Sequence, residues 1–199
     1  MHIDIPAPVS GVSIDPEAIL RRFYPTGSPT YAILHSHSRD VAMLALEILA
    51  ANPSLQQQID ARFVYEAAML HDIGIFLTDT PSLGCTGREP YIKHGFLGGE
   101  LLREMGLERH AQVCERHTGT GITTDRIRMS DLPLPLDVLY MPQSLEEKLI
   151  CFADKFYSKG HPGERKTPEA ARRIVARHGV EGARRFDDLA ALFPLPHAQ

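Results

Sequence analysis

The sequence has no tryptophan and only three cysteines in 199 residues. Cys85, Cys114 and Cys151 are widely spaced and form no CxxC pair. The sequence therefore indicates neither a disulfide framework nor a zinc ribbon. Unpaired cysteines are usual in a reducing compartment, so we expect a cytoplasmic protein.

Long apolar segments and an excess of positive charge are also missing. The longest strongly apolar stretch, residues 41–51, is interrupted by Glu47 and is too short to cross a bilayer. The first residues lack the basic and apolar segments of a signal peptide. The formal net charge is -4, so no general basic field favours nucleic acid. We therefore expect neither a membrane nor a nucleic acid as a partner.

What the sequence does contain is the spacing and the start signals of helices. Apolar residues recur three and four positions apart, as in Val41, Leu44 and Ile48, which is the period of a helix. An Asp, Ser or Thr precedes a proline or a capping-box glutamate at four places: Asp15-Pro16, Ser28-Pro29, Ser144-Leu145-Glu146-Glu147 and Thr167-Pro168. No convincing stretch alternates as a strand would. We therefore predict an all-α helical bundle.

The length suits one domain with a small appendage. We predict a single domain over residues 1–199, with its core at about 29–160. Residues 1–28 would form an N-terminal arm and a short helix, and residues 161–199 a small C-terminal helical extension. Two segments without a clear helical period are expected to be loops beside the site: residues 78–90 and 122–142.

The dipeptide His71-Asp72 ends an apolar, helix-like run and is followed by Ile73-Gly74. Neighbouring side chains on a helix point about 100° apart, so such a pair reaches one small atom only where the helix ends. We expect Gly74 to end it in the left-handed cap conformation, which glycine takes without strain.

Other histidines and carboxylates are placed to meet this pair. His37 lies four residues before Val41, and Asp154 four residues after Ile150, on apolar faces of other predicted helices. An ionised carboxylate on such a face is costly to bury unless it is paired or bound to a metal. Two imidazoles and two carboxylates suit zinc, iron, manganese or a similar divalent ion. The predicted first metal site is His37, His71, Asp72 and Asp154.

Two further histidines extend this site. His94 lies near the start of a helix predicted from about Tyr91 to Met105, with Leu97 on its face, and His117 ends another predicted helix. We predict that these two histidines hold a second ion and that Asp72 bridges the two. Metal ions about 3.5–4 Å apart can activate a water and hold a phosphate oxygen together.

In this order the six residues resemble the HD-domain superfamily of metal-dependent phosphohydrolases, in its HDIG-type form. The similarity covers about residues 31–159. It extends to four local strings: His37-Ser38-Arg39-Asp40-Val41-Ala42, His71-Asp72-Ile73-Gly74, His94-Gly95-Phe96-Leu97-Gly98-Gly99 and Ala153-Asp154-Lys155. The resemblance implies an all-α fold and hydrolysis of phosphate esters or anhydrides, usually of nucleotides.

His94 and His117 resemble the binuclear branches of that superfamily, which include dinucleoside-tetraphosphate hydrolases and cyclic-dinucleotide phosphodiesterases. The sequence lacks the Gly-Tyr-Pro signature of the cyclic-dinucleotide group, and Ile75 stands where that group usually has lysine. We therefore expect a small phosphorylated substrate of nucleotide type from another class.

A phosphate substrate also needs cationic partners. Lys155 and Arg116 each adjoin a proposed metal ligand, and we assign them with Asp72 as the candidate catalytic residues. Lys93 and Arg88 are further candidates for the same task.

Three functional hypotheses remain open at this stage. The first is a binuclear phosphohydrolase, the second a nucleotide-binding regulator with negligible turnover, and the third an HD-fold di-iron oxygenase. The ligand types suit several metals, so the sequence leaves the metal open. A homodimer is compatible with the sequence.

Overall fold

The structure is a computed structural model that describes residues 13–196. In that range the chain forms these α-helices: α1 Pro16–Phe23, α2 Pro29–Ala51, α3 Pro53–Gln56, α4 Ala61–Leu70, α5 His94–Glu104, α6 Glu108–Arg116, α7 Thr124–Met129, α8 Leu145–Asp154, α9 Pro168–Ala176 and α10 Val180–Leu192. A short antiparallel hairpin pairs β1, Asp79–Thr80, with β2, Cys85–Thr86. The predicted all-α fold is confirmed.

Most of the predicted N-terminal arm lies outside the described residues, as do residues 197–199. Over residues 13–196, no helix has the length and apolar composition that crossing a membrane requires.

The helix starts predicted from the sequence are confirmed. Asp15, Ser28, Ser144 and Thr167 each accept a hydrogen bond from the backbone N–H three residues later. These bonds satisfy backbone donors that a helix leaves unpaired at its first turn. The cap at Ser144 fixes the start of α8 and thereby the position of its last residue, Asp154.

The longest described helix, α2, packs against both α4 and α8. Val41, Leu44 and Ile48 are completely buried on it, as their spacing predicts. His37 lies one turn before Val41 and is buried on the same helix. The apolar packing of α2 therefore places His37 in the interior of the bundle, beside the ends of α4 and α8.

The C-terminal helices share an aromatic cluster with α8. The Phe152 ring lies 5.0 Å from the ring of Phe156, 5.4 Å from that of Phe186 and 6.2 Å from that of Phe193, centroid to centroid. All four rings are at most 1% exposed. Buried aromatic rings contribute large apolar areas to a core, so this cluster holds α10 against α8.

The two segments predicted as loops contain more structure than expected. Residues 78–90 hold the hairpin, whose turn includes Gly84 at a φ of +73°. Residues 122–142 contain the six-residue helix α7, so the interpretation as an irregular loop is wrong in part. That segment has a small cluster of its own, with Ile127, Leu134 and Tyr140 buried. A helix of under two turns is too short for an apolar period to identify.

Gly74 has a different role from the expected one. Helix α4 ends at Leu70, and Gly74 lies in a 3-10 helix, Ile73–Leu77, without the left-handed conformation that we expected. A Cβ atom on Gly74 would lie 2.2 Å from the His94 carbonyl oxygen and 2.4 Å from the Gly98 nitrogen. The glycine is therefore required by the close approach of this 3-10 helix to α5.

Replacing Gly74 with alanine is expected to lower the free energy of unfolding by at least about 2 kcal/mol, because the added methyl group overlaps backbone atoms. Urea denaturation measures the difference. Gly160→Ala is the matched control, since its Cβ would meet only the Ser158 hydroxyl at 3.8 Å. An unfolding free energy for Gly74→Ala equal to that of the control would contradict this packing.

Candidate metal centre

Six side chains from separate parts of the bundle meet in its interior. They are His37 on α2, His71 and Asp72 directly after α4, His94 at the start of α5, His117 directly after α6, and Asp154 at the end of α8. The first five are at most 3% exposed, and the Asp154 side chain is 12% exposed. The structure thus brings together all six residues that the sequence singled out.

Asp72 lies at the centre of this group. Its Oδ2 atom is 3.2 Å from the Nε2 atoms of both His37 and His71. Its Oδ1 atom is 3.3 Å from His94 Nε2 and 3.4 Å from His117 Nε2. One carboxylate therefore faces two histidine pairs, with one oxygen directed to each.

Asp154 completes the side that contains His37 and His71. Its Oδ1 atom is 3.0 Å from His37 Nε2 and 3.5 Å from His71 Nε2. The two carboxylates approach the same two imidazoles, although they come from ends of different helices.

Backbone carbonyl groups orient three of the imidazoles. The Nδ1 atoms of His71, His94 and His117 lie 2.6, 2.6 and 2.7 Å from the carbonyl oxygens three residues earlier. A carbonyl oxygen can only accept a hydrogen bond, so each Nδ1–H is the donor. Each Nε2 faces the centre, 3.2–3.4 Å from Asp72. Such an outer hydrogen bond fixes the tautomer of a metal-binding histidine.

The chemistry of these atoms fits a divalent cation. Among residues 13–196, five of the eight buried side-chain polar atoms without a hydrogen-bond partner belong to His37, His71 and Asp72. Three overlapping sets of three ligands have their donor atoms within 4.8 Å of one another: His37, His71 and Asp72; His71, His117 and Asp154; and Asp72, His94 and His117. Imidazole and carboxylate are donors that zinc, iron and manganese accept.

The family model for the HD domain matches residues 34–159, which is more than half of the sequence and includes all six side chains. The chain belongs to the HD domain family. The resemblance inferred from the sequence is thereby confirmed at the level of the family.

Two relatives match part of this chain. An uncharacterized protein of Methanocaldococcus jannaschii is 36% identical over 119 residues, which are 59% of this chain and 62% of that protein. A tRNA (cytidine(56)-2'-O)-methyltransferase of Picrophilus torridus is 34% identical over 100 residues, which are 50% of this chain and 25% of the methyltransferase. The chain thus matches less than two thirds of either relative.

Solved HD domains have the same fold. The HD domain of the phosphodiesterase PgpH of L. monocytogenes, in complex with cyclic-di-AMP, superposes with a TM-score of 0.52 at 16% identity. The match covers 92% of this chain and 98% of that one. A second structure of the same domain gives a TM-score of 0.51 at 17% identity. At identities of 16% and 17%, this similarity shows that the fold is shared and shows nothing further.

Two lysines neutralise the carboxylates of the HD-domain site. Lys155 Nζ lies 2.6 Å from Asp154 Oδ2 and donates to the His117 carbonyl oxygen at 3.1 Å. Lys159 Nζ lies 2.6 Å from Asp72 Oδ2. Lys155 was predicted from the sequence as a cation of the site, whereas Lys159 was not. A second lysine four residues after Lys155 was the available signal, but α8 ends at Asp154 and the turn that follows brings Lys159 to Asp72.

Two of the other predicted cations, Arg116 and Lys93, are engaged by nearby acceptors. Arg116 Nη1 donates to both carboxylate oxygens of Glu147, at 3.0 and 3.1 Å, and its Nε donates to the Leu139 carbonyl oxygen. Lys93 pairs with Glu89 at 2.6 Å. Arg88 is exposed in the segment that follows the hairpin. Contact of these cations with a substrate stays a prediction.

Neighbouring charges set the protonation of the site. Burial alone would raise the pKa of Asp72, but Lys159 and His71 hold it well below its usual range. Burial opposes a proton on His71, yet the adjacent carboxylates raise its pKa to about 9. Burial lowers the pKa of His94 to about 3, and it lowers the pKa of His117 as well. At neutral pH the site without metal therefore holds a protonated His71 beside neutral His94 and His117.

Divalent metal binding is expected to strengthen as pH rises from 7 toward 9, by up to about tenfold per unit. A metal-binding imidazole must lose its proton, and the pKa of His71 is about 9 without metal. His94 is already neutral in this range, so it adds no such dependence. Calorimetry with manganese in buffers of different ionisation enthalpy measures both affinity and proton release. Equal affinities at pH 7 and pH 8.5, with no proton released, would contradict this protonation state.

Proposed function

We propose that the protein is a metal-dependent phosphohydrolase that cleaves a phosphoester or phosphoanhydride bond of a small nucleotide-type substrate. The arrangement of Asp72 supports this proposal most directly, because its two oxygens face two histidine pairs at 3.2–3.4 Å. His37, His71 and Asp154 would complete the shell of one divalent ion, and His94 and His117 that of another. When bound, such ions supply the Lewis acidity that activates a water and neutralises charge on phosphate oxygens.

The protein itself supplies a rigid and largely dry setting for this reaction. Hydrogen bonds from Nδ1 to backbone carbonyl groups hold His71, His94 and His117 in place. Lys155 bonds to both Asp154 and the His117 carbonyl oxygen, and so joins the end of α8 to the end of α6. Groups that are already oriented need little reorganisation as charge develops on a phosphate.

Water is the expected nucleophile, since the nearby thiols are unsuited to that role. Cys114 Sγ donates to the Leu70 carbonyl oxygen at 3.1 Å, and burial raises its pKa well above the usual value. Burial raises the pKa of Cys151 to about 11. A neutral thiol is a poor nucleophile, so hydrolysis would proceed by addition of water across the P–O bond.

A nucleotide is supported by the aromatic surface at the site. The Tyr91 ring stacks on His94, with centroids 4.6 Å apart and planes 25° apart, and the residue is 39% exposed. An exposed aromatic face can accept a stacked base. The structural neighbour PgpH binds cyclic-di-AMP, which is a nucleotide of another class than the one we expect.

Hydrolysis of a set of candidate substrates, with the products separated by chromatography, tests this function. Nucleoside monophosphates, dinucleoside polyphosphates and cyclic dinucleotides would be incubated with manganese- or iron-loaded protein, with and without a chelator. We expect hydrolysis of at least one nucleotide class and its loss on chelation. Thermal stabilisation by a nucleotide without any product would favour the regulator instead. Oxygen consumption by the iron-loaded protein would favour the di-iron oxygenase.

A further inference from the structure

The Lys159 ammonium group has an unusual position. Its side chain is 15% exposed, and its Nζ lies 2.6 Å from Asp72 Oδ2, with no second carboxylate within 4.0 Å among residues 13–196. A turn after α8 delivers it, closed by hydrogen bonds from His161 N to Ser158 O at 3.1 Å and from Gly160 N to Ser158 Oγ at 3.3 Å. The lysine is thus held at the centre of the site by a segment that carries none of the six proposed ligands.

Lys159 differs in this respect from Lys155. Lys155 keeps the His117 carbonyl oxygen as a second partner, at 3.1 Å, in addition to Asp154. Lys159 shares its carboxylate oxygen with the Nε2 atoms of His37 and His71, each 3.2 Å away. An ion held by those imidazoles would therefore compete with the Lys159 ammonium for the same oxygen.

A largely buried ammonium group that loses its carboxylate requires another anion, because an unpaired buried charge is costly. The phosphate of a substrate supplies that anion at the same place. We propose that Lys159 is a phosphate-binding residue, which contacts a phosphate oxygen in the metal-loaded protein and pairs with Asp72 when the metal is absent. This assignment rests on the proposed function, since it assumes a metal and a phosphate at one site.

The position of Tyr91 agrees with this assignment. Its ring stacks on His94, with centroids 4.6 Å apart, so the residue lies beside the same site. A phenol hydroxyl group is a further donor that a phosphate oxygen can accept.

The experiment measures two affinities in the same proteins, that of manganese for the metal-free protein and that of inorganic phosphate for the manganese-loaded protein. Calorimetry would compare the wild type with Lys159→Met, Lys159→Arg and the control Lys148→Met on α8. For Lys159→Met we expect phosphate binding about tenfold or more weaker, the loss typical of a charged hydrogen bond. We expect manganese to bind at least as tightly, because a competing cation is gone.

The opposite directions of these two changes separate phosphate binding from a purely structural role. Lys159→Arg keeps the charge and is expected to retain phosphate binding within about threefold, and Lys148→Met should match the wild type. A joint loss of manganese and phosphate affinity in both Lys159 variants would overturn the proposal. So would phosphate binding by Lys159→Met within twofold of the wild type, or no phosphate binding by the loaded wild type.

The binding measurements and the hydrolysis assay together separate failure of the Lys159 assignment from failure of the proposed function. If Lys159→Met binds phosphate as the wild type does while the wild type hydrolyses a nucleotide, the Lys159 assignment fails and the function stands. If no nucleotide is hydrolysed but the two affinities change as expected, Lys159 remains a phosphate-binding residue of a site without turnover.

Discussion

Replacing Asp72 with asparagine is expected to lower hydrolysis by about three orders of magnitude or more, which is the upper range for loss of one charge-stabilising group. The amide keeps the shape of the side chain but removes the negative charge that faces four imidazoles. It also leaves Lys159 without its carboxylate partner. We expect metal content to fall with activity, because Asp72 belongs to both proposed metal shells.

Asp125→Asn is the matched control for this substitution, since the Asp125 side chain is 86% exposed. Metal content by mass spectrometry and initial rates of substrate hydrolysis would be measured for both variants and the wild type. We expect the control to keep wild-type values. Activity of Asp72→Asn within tenfold of the control, with unchanged metal content, would contradict a role of this carboxylate in holding metal.

Replacing His94 with glutamine is expected to reduce the number of bound metal ions from two to one. His94 Nε2 lies 3.3 Å from Asp72 Oδ1, while His37 and His71 lie on the Oδ2 side. The ion beside His37 and His71 should therefore remain bound in the absence of His94. Hydrolysis should fall by about 100-fold, since one ion contributes several kcal/mol to stabilising the transition state.

His178→Gln serves as the control for this loss, because His178 is exposed near the C-terminus. Both variants would be loaded with manganese, dialysed and assayed for metal per chain. Two ions remaining in His94→Gln would remove His94 from the proposed ligands. Loss of both ions together would mean that the two proposed shells do not bind independently.

The meeting of the six candidate ligands could be predicted from the sequence because several local rules agree. His37 and Asp154 follow the apolar period of their helices, and the cap at Ser144 fixes the start of α8. The order of the six residues then matches one family. Helix packing brings their side chains together, and the structure places the six as the pattern indicated.

Gly74 shows that a local sequence pattern does not reveal contacts between distant parts of the backbone. The sequence correctly marked the glycine after His71-Asp72, but the cause that we assigned was local. Its actual cause is the backbone of α5, at His94 and Gly98. Such close approaches involve residues distant in sequence, so no local rule reveals them.

Lys159 was missed for a related reason. Its charge contacts Asp72 only because α8 ends at Asp154 and a turn redirects the chain. Helix ends are the least certain part of a pattern-based prediction. Arg116 was assigned to the substrate from its place beside His117 in the sequence. Its guanidinium group pairs with Glu147, and its contact with a substrate stays a prediction.

A crystal structure of manganese-loaded protein, with anomalous scattering data, tests the central claim most directly. We predict two anomalous peaks, one beside each carboxylate oxygen of Asp72. The first should lie at bonding distance, about 2.0–2.2 Å, from His37 and His71, and the second from His94 and His117. A single peak on the His37 side would leave a mononuclear HD domain. No peak within bonding distance of Asp72 would contradict the metal centre itself.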